Sequence, residues 1–399
     1  MPSRRDPPVR PAPAGRDRLT REDGRRRRGA ADRVDRVQGR DRLTRKDGRR
    51  PRAAAATFLA AALPLLAVYL AGLNRGLGTI DSGELAAAAH TLGIAHPPGY
   101  PLYTLLGRLA ALVPLATILT RLHVVSALST AAAAGCAALA LRATLSEIGE
   151  GAGRRVAVFV FPVAGAWAWG LSPALWSVAV VNEVYGLHVL FLALCVGLGV
   201  LLMRHGAAAT RHGFLLAYAL GLGLSHHLAL LFAVPALGAA VLAARRPGAR
   251  VLLAWGALCL LGFSIHLYLP LRSLQEPLLD WGNPTDLERW FRHASGWQYR
   301  VWLFPGADFL RRQAIEQAGA AWAALGWILP PAAIWGAAVL LKRRAALALF
   351  WIILGVVGHL WASAYDIKDI DPYFAASHLA VAALGAAGAG HIAGWLRRG

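Results

Sequence analysis

Long apolar runs alternate with short polar segments along most of the chain. Ten of these runs are predicted as spans, and most of them approach the roughly 20 residues that an α-helix needs to cross a bilayer. They cover residues 53–73, 122–145, 156–171, 184–203, 213–224, 228–244, 251–270, 321–341, 347–364 and 376–396. The pattern predicts an all-α integral membrane protein of about ten spans, forming one polytopic domain over residues 53–399.

The polar segments between the runs fall into two kinds. Basic clusters follow every second run, at residues 154–155, 204–212, 245–250, 342–344 and 397–398. Basic loops stay in the cytoplasm, so both termini are predicted inside and the segments 74–121, 271–320 and 365–375 outside. Within the first outer loop, residues 82–92 and 101–114 are predicted as short helices along the membrane interface, because neither is long enough to cross.

The composition agrees with a membrane protein, since 56% of the residues are hydrophobic and 16% are charged. Soluble domains usually carry about a quarter charged residues. The formal charge of +20 is uneven, because residues 1–52 hold 19 Lys and Arg against 8 Asp and Glu. This segment has too few large apolar residues to fold, so we predict a disordered cytoplasmic tail.

The basic tail also contains a repeat, GRDRLTREDGRR at 15–26 and GRDRLTRKDGRR at 39–50. Two copies are too few for a solenoid. Anionic lipid or nucleic acid could bind such an arm, and a merely solvated tail fits equally well. We expect no nucleic-acid partner for the protein.

Two carboxylates stand directly beyond the first predicted span, in the segment DSGELAAAAHTLGIAHPPGYPLY at 81–103. Asp81 and Glu84 are three residues apart and would share one face of a helix. Neighbouring carboxylates can take different roles in catalysis, because proximity separates their pKa values. The same spacing also fits a capping box, with Asp81 at the N-cap and Glu84 at N3.

The segment ends in a turn rich in proline, HPPGYP at 96–101. Three prolines restrict the backbone and Gly99 permits a conformation that other residues avoid. The turn would therefore hold the side chains of His96 and Tyr100 rigidly, which favours substrate binding, although a tight entry into the next helix is an alternative.

Further candidate binding residues lie in the later outer segments. Glu183 and Tyr185 stand at the mouth of a span, and either could contact a sugar hydroxyl. His226 and His227 are adjacent and diverge by about 100° on a helix, so one would face the site while the other packs. No spaced pair such as HExxH is present, so we predict no zinc site.

An arginine and an acidic loop complete the candidates. Arg272 follows a span on the outer side and could hold a phosphate through its planar guanidinium, or it could simply anchor the span end. The late segment YDIKDIDPYF at 365–374 offers Asp366 and Tyr373. Asp369 is interpreted as solvated loop charge.

Together these motifs resemble one family. DSGE, HPPGYPLY, NEVYGLH, the His pair, the P-x-R before DWGNP, and YDxxDxDPY occur in the order found in a bacterial membrane-protein family of formerly unknown function. The animal relatives of this family are protein O-mannosyltransferases acting on plexin-type receptors. The resemblance covers roughly residues 55–375.

The resemblance implies a GT-C fold, with about ten transmembrane helices and an acidic residue in the first outer loop. It implies an inverting transfer of a sugar from a polyprenyl-phosphate donor, at the periplasmic face of a bacterial inner membrane. Asp81 would be the general base and Glu84 would support it, while Arg272 or Arg108 would stabilise the departing phosphate. No cofactor is implied with certainty, a divalent metal remains possible, and the acceptor could be a protein, a lipid or a glycan.

Two other functions are alternatives. A transporter or flippase of lipid-linked glycans would place ionisable residues near the bilayer midplane and would show inverted repeats. The charges here stand at span ends and the halves show no match. A non-catalytic scaffold would leave HPPGYP and Arg272 without a role.

Overall fold

The structure is a computed structural model that describes residues 51–78, 80–148, 154–206, 210–244 and 247–397. The chain divides into a unit of residues 1–55 and a unit of residues 56–399. The predicted disordered tail lies, up to residue 50, outside the described residues. Apart from two isolated bridges, every regular element among the described residues is a helix, which confirms the predicted all-α membrane fold.

Sixteen helices are labelled here in chain order. They are α1 Pro51–Ala71, α2 Ser82–Thr91, α3 Pro101–Ala111, α4 Ile118–Leu145, α5 Arg154–Gly170, α6 Pro173–Ala179, α7 Tyr185–His205, α8 Thr210–His226, α9 Val234–Ala243, α10 Ala249–Phe263, α11 Tyr268–Ser273, α12 Leu287–Ala294, α13 Ala307–Leu325, α14 Leu329–Arg343, α15 Ala345–Ser363 and α16 Ala375–Leu396. Short 3₁₀ turns accompany them at Leu228–Ala233, Ser264–Leu267, Trp297–Trp302 and Asp371–Phe374.

Six helical segments in the described part of the chain are long and apolar enough to cross a membrane. Two bent pairs, α5 with α6 and α13 with α14, raise the number to eight if each pair is one span. The protein is therefore multi-pass. The predicted count of ten spans stays a prediction, because α8 and the α9 segment are shorter than a full crossing. The two predicted outer helices exist as α2 and α3.

The sequence predicts one long loop at 271–320 and then a span at 321–341. The region after α11 differs from this prediction. It contains α12, a 3₁₀ turn and α13, and the predicted span is broken by a bend of 100° between α13 and α14. Gly326 has a φ of 78° at the end of α13, and prolines follow at the start of α14. A proline ring has no N–H and clashes with the preceding turn, so a continuous helix cannot form there.

Small residues allow the helices of the bundle to approach closely. A Cβ on Gly336 of α14 would lie 1.9 Å from the carbonyl oxygen of Leu384 on α16, and one on Gly388 would lie 1.9 Å from that of Ala332. Glycine is therefore required at this crossing, in the manner of small residues between membrane helices. The alanine-rich face of α4 packs on α7 by the same principle, and the largest buried cluster includes residues of both helices together with residues of most other helices of the bundle.

The bundle has two chemically different ends. Helix α7 begins at Tyr185 and ends at His205, a length of about 30 Å at 1.5 Å per residue. At its far end, Glu147 binds Arg204 at 2.8 Å and Arg344 at 3.0 Å, so two of the predicted basic clusters meet there. The polar motifs gather at the other end, around Tyr185.

Candidate active site

A cavity of about 590 Å³ opens where the polar motifs meet. One set of lining residues, called here the polar wall, consists of Asp81, Glu84, His96, Tyr100, Tyr185 and Asp369. A second set, the aromatic wall, consists of Trp281, Tyr299, Trp302, Trp361 and Tyr365. His227, Tyr373, Phe232, Ser295, Gly296 and aliphatic side chains complete the lining, and no Lys or Arg is among the described residues that form it.

Asp81 and Glu84 are brought together by the start of α2, but not as a capping box. Asp81 occupies the N-cap position, yet its side chain makes no capping hydrogen bond. Glu84 Oε1 instead accepts the backbone N–H of His96 at 2.7 Å. The capping alternative is therefore wrong for this site, and both carboxylates are directed to the HPPGYP turn.

His96 joins the two acids. Its Nδ1 lies 3.2 Å from Glu84 Oε1, and its Nε2 lies 3.6 Å from Asp81 Oδ2. The hydroxyl of Tyr100 lies 3.2 Å from the same Nε2. Four of the five side chains predicted from the first outer loop therefore meet in one cluster, and the fifth, Arg108, lies outside it.

The surroundings in this cluster shift the pKa values of the two acids in opposite directions. Burial raises the pKa of Asp81, with the Asp369 and Glu84 charges adding to the rise and His96 opposing it. Burial would also raise the pKa of Glu84, but the hydrogen bonds from His96 outweigh it and the pKa is lowered. For His96, burial alone would lower the pKa, whereas Glu84 and Asp81 raise it overall. Glu84 and His96 thus form an ion pair, and of the two acids Asp81 is the one more able to take a proton.

The same three side chains are the candidate metal ligands of the described chain. One ligand atom from each of Asp81, Glu84 and His96 lies within 4.8 Å of the others. Carboxylate oxygens and an imidazole nitrogen suit ions such as Mn²⁺ or Zn²⁺. However, the His96 nitrogens already contact Glu84, Asp81 and Tyr100, so a cation and the present hydrogen bonds would compete for the same atoms.

Local backbone chemistry explains why the HPPGYP turn presents His96 to Glu84. Gly99 has a φ of 93°, and a Cβ there would lie 2.8 Å from a Leu269 methyl and 2.9 Å from His293 Nε2. The Gly99 N–H closes the turn onto the His96 carbonyl at 2.8 Å. His293 Nε2 donates to the Ala95 carbonyl at 3.1 Å, so the turn is held from both sides.

Arg272 binds the end of α2 and does not line the cavity. Its Nε donates to the Leu92 carbonyl at 2.7 Å and its guanidinium also reaches the Thr91 carbonyl at 3.3 Å. The last carbonyls of a helix lack partners and carry negative partial charge, so an arginine stabilises them. The prediction that Arg272 binds phosphate is not supported, because Arg272 is outside the cavity lining and its guanidinium binds the end of α2 and, at 2.7 Å, Gln275 Oε1.

Arg108 has a similar placement. Its guanidinium donates to the His90 carbonyl at 2.5 Å, and it is outside the cavity lining. The predicted role in stabilising a departing phosphate therefore has no geometric support for either arginine.

The NEVYG segment contributes two cavity residues, Val184 and Tyr185, and a support, Asn182. Tyr185 lines the cavity, while Asn182 donates to the Ser82 carbonyl at 2.9 Å and accepts from the Tyr103 hydroxyl. Glu183 lies outside the lining. Burial raises its pKa to about 8, with the charges of Asp81 and Asp369 adding to the rise. Glu183 is therefore near the acids without facing the cavity.

The two adjacent histidines diverge as predicted. His227 lines the cavity, whereas His226 does not and its Nε2 donates to the Val184 carbonyl at 2.8 Å. Nδ1 of His227 accepts the Ala229 N–H at 3.1 Å, which caps the 3₁₀ turn before α9. The prediction of His226 as a substrate ligand is replaced by a packing role.

In the late acidic segment, Asp369 and not Asp366 lines the cavity. Asp366 is exposed and outside the lining, so its predicted binding role is not supported. Asp369, interpreted from the sequence as solvated charge, is half-buried, lines the cavity and accepts the Tyr185 hydroxyl at 2.9 Å. Tyr373 lines the cavity as predicted and packs edge-on against Tyr185 at 5.7 Å.

The aromatic wall contains none of the site residues predicted from the sequence. It is held by backbone pairing between distant segments. Phe304 N–H donates to the Ala364 carbonyl at 2.7 Å, and Asp366 N–H donates to the Trp302 carbonyl at 3.0 Å. This pairing places Trp302 beside Tyr365.

Comparison with known proteins supports the resemblance. The sequence profile of the protein O-mannosyl-transferase TMEM260 N-terminal domain matches residues 81–251. The chain is 31% identical to the protein O-mannosyl-transferase TMEM260 of Mus musculus over 243 residues. This alignment covers 59% of this chain and 33% of that protein. It is 25% identical over 256 residues to the corresponding protein of Dictyostelium discoideum, covering 57% and 29%.

The chain thus spans about a third of the length of these relatives. No solved structure matches it. The predicted relation to animal O-mannosyltransferases is confirmed. The profile match includes Asp81, Glu84, His96, Tyr100 and Tyr185 of the polar wall, while Asp369 and the whole aromatic wall lie beyond residue 251.

Proposed function

We propose that this protein is a membrane glycosyltransferase that moves a sugar from a polyprenyl-phosphate donor to a hydroxyl acceptor, with inversion at the anomeric carbon. The observation that carries the proposal is the cavity itself, in which a His96-linked acid pair faces aromatic and aliphatic side chains. The relation to protein O-mannosyl-transferases supports the reaction class and makes a protein hydroxyl the first acceptor to test.

Asp81 is the proposed general base. Its carboxylate takes the proton of the acceptor hydroxyl while the acceptor oxygen bonds to the anomeric carbon. The bond from that carbon to the phosphate oxygen breaks, and its electron pair leaves with the phosphate. A base with a raised pKa accepts the proton more readily, and general base catalysis typically contributes about 10²–10⁴-fold.

Glu84 and His96 position the base. Glu84 binds both the backbone N–H and the ring of His96, which fixes the ring beside Asp81. A charged or donating imidazole at 3.6 Å from Asp81 Oδ2 keeps that carboxylate in one orientation. Holding reacting groups in place is itself a large part of catalysis.

The apolar lining fits the lipid portion of the donor. Leu228, Leu231, Phe232 and Ile367 line the cavity beside Trp361. Aliphatic and aromatic surface of this kind binds hydrocarbon through burial, at about 25 cal/mol per Å². In the proposed orientation, the N-terminus is cytoplasmic and the cavity opens on the periplasmic side of a bacterial inner membrane.

Donor cleavage by the purified protein tests this function. The protein, with folding checked by thermal unfolding, would be incubated with a panel of polyprenyl-phosphate sugars and an acceptor protein. We expect free polyprenyl phosphate to accumulate with one of the donors, and the sugar to appear on the acceptor. No cleavage across the panel would contradict the proposal, and movement of an intact donor between the leaflets of proteoliposomes would favour a flippase.

A further inference from the structure

Asp369 is a charged cavity residue that the proposed transfer step leaves without a role. It stands in the segment between α15 and the 3₁₀ turn before α16, and one of its oxygens accepts the Tyr185 hydroxyl at 2.9 Å. Within the described part of the chain, no Lys or Arg pairs with it and its other oxygen accepts no hydrogen bond. A half-buried carboxylate in this state has an acceptor available for a ligand.

Asp369 lines the same cavity as the aromatic wall. Tyr365 of that wall stands four residues before Asp369 on the same segment. Tyr299 and Trp302 stack at 5.7 Å with an angle of 28° between their planes. Both rings line the cavity.

Backbone contacts fix the aromatic pair relative to Asp369. Leu303 and Tyr365 form an antiparallel bridge, flanked by the two hydrogen bonds that join residues 302–304 to 364–366. Asp369 stands three residues after Asp366 on the same segment. The acid and the rings therefore come from two segments that are paired directly.

This combination matches the chemistry of a pyranose ring. Such a ring has an apolar C–H face, which packs on aromatic rings, and hydroxyls around its edge, which donate to carboxylates. Hydrogen bonds to an ionised acceptor are roughly twice as strong as neutral ones. An aromatic face supplies contact area and a defined plane against which the sugar can lie.

We propose that Asp369 and the Tyr299–Trp302 pair form the subsite that binds the transferred sugar, with Asp369 accepting a sugar hydroxyl. The inference rests on the proposed glycosyl transfer and names the binding groups for one part of its donor. Asp369 is then a specificity-determining residue, while Asp81 acts on the acceptor. Tyr185 is its positioning residue.

Binding of two ligands that differ only in the sugar tests this subsite. One is a polyprenyl-phosphate sugar cleaved by the protein or bound by it, and the other is polyprenyl phosphate alone. For Asp369→Asn we expect the sugar-bearing ligand to bind roughly tenfold to a hundredfold more weakly, because a hydrogen bond to a charged acceptor is lost. Polyprenyl phosphate should bind within about twofold of the parent protein, because the substitution removes no contact to it.

Asp366→Asn is the matched control, because Asp366 lies three residues away, is exposed and does not line the cavity. It should bind both ligands as the parent does. Equal weakening of both ligands by Asp369→Asn would overturn the inference in favour of a structural or phosphate-binding role, and so would no change in either. Donor cleavage by the parent protein is measured separately. The binding experiment can then contradict the sugar subsite without contradicting the proposed transfer, and the cleavage experiment can contradict the transfer without contradicting the subsite.

Discussion

The polar wall and the aromatic wall of the cavity are held in different ways. His96 contacts Glu84 twice, and the turn that carries it is closed by Gly99 and preceded by Ala95, whose carbonyl binds His293. The aromatic wall depends instead on ring stacking and on two isolated backbone bridges, Leu303–Tyr365 and Ile94–Asp280, and Trp281 and Trp302 remain 45% and 44% exposed.

This difference matches the demands of the two tasks. Catalysis requires reacting groups held to within a fraction of an ångström, which a hydrogen-bonded cluster on a closed turn provides. Binding of an apolar surface tolerates small shifts, because burial has no directional requirement. We therefore expect substitutions in the polar wall to change the rate of transfer, and those in the aromatic wall to change donor affinity.

Among the residues that support the proposed base, the largest effect should follow the loss of His96. His96→Ala removes the contact between Glu84 and Asp81, and we expect kcat to fall by about 100-fold, the size of effect seen when a catalytic group is misplaced. Transfer kinetics at saturating donor would measure it. His90→Gln on the exposed end of α2 is the control, and an unchanged kcat in His96→Ala would remove His96 from the polar wall's function.

Arg272 separates fold support from phosphate binding. Arg272→Ala should lower the free energy of unfolding by about 2 kcal/mol, since the final carbonyls of α2 lose a charged donor. Thermal unfolding would measure this loss. Affinity for polyprenyl phosphate should stay close to that of the parent, and a tenfold weaker affinity with unchanged stability would restore the phosphate role predicted from the sequence.

Trp302 tests the aromatic wall. Trp302→Ala should raise KM for the donor roughly threefold to tenfold, because stacked aromatic pairs contribute about 0.5–1.5 kcal/mol beyond their area. The kcat value should change little, and Trp302→Phe should recover part of the affinity. A fall in kcat with KM unchanged would mean that the aromatic wall takes part in the chemistry.

The smallest effect is the pH dependence of stability. The pKa of His96 is raised above 6.5, so its stabilisation is full below pH 6.5 and is lost as the pH rises through the raised value. The pKa of Glu84 is lowered below 4.5, so its stabilisation is full above pH 4.5 and is lost as the pH falls through the lowered value.

The two contributions overlap between pH 4.5 and 6.5. The difference in Tm between the parent protein and His96→Gln should be largest in that window and should shrink at more alkaline pH. A difference that is flat from about pH 5 to about pH 9 would argue against the ion pair.

The sequence was informative where function depends on close spacing. Asp81, Glu84, His96 and Tyr100 lie within 20 residues, and a turn stiffened by proline limits where their side chains can point. The predicted divergence of His226 and His227 followed from helix geometry alone. The apolar runs likewise predicted the helices, because membrane spans need length and hydrophobicity more than any particular partner.

The errors arose where a partner is distant in sequence. Arg272 binds the carbonyl of Leu92, 180 residues away, and the sequence around Arg272 does not indicate that a helix end lies beside it. Asp369 faces the cavity because of Tyr185, at a separation of 184 residues, and not because of its local sequence. The bend between α13 and α14 was the exception, since its glycine and prolines could have indicated the break.

The most direct test of the proposed chemistry is a single-turnover measurement of sugar transfer in Asp81→Asn, with the donor that the parent protein cleaves. Asparagine keeps the shape of the side chain but cannot take up the acceptor proton, so we predict a rate at least about 100-fold below the parent's. Donor binding and thermal stability should be retained. Transfer by Asp81→Asn at the parental rate would contradict the assignment of Asp81 as the base.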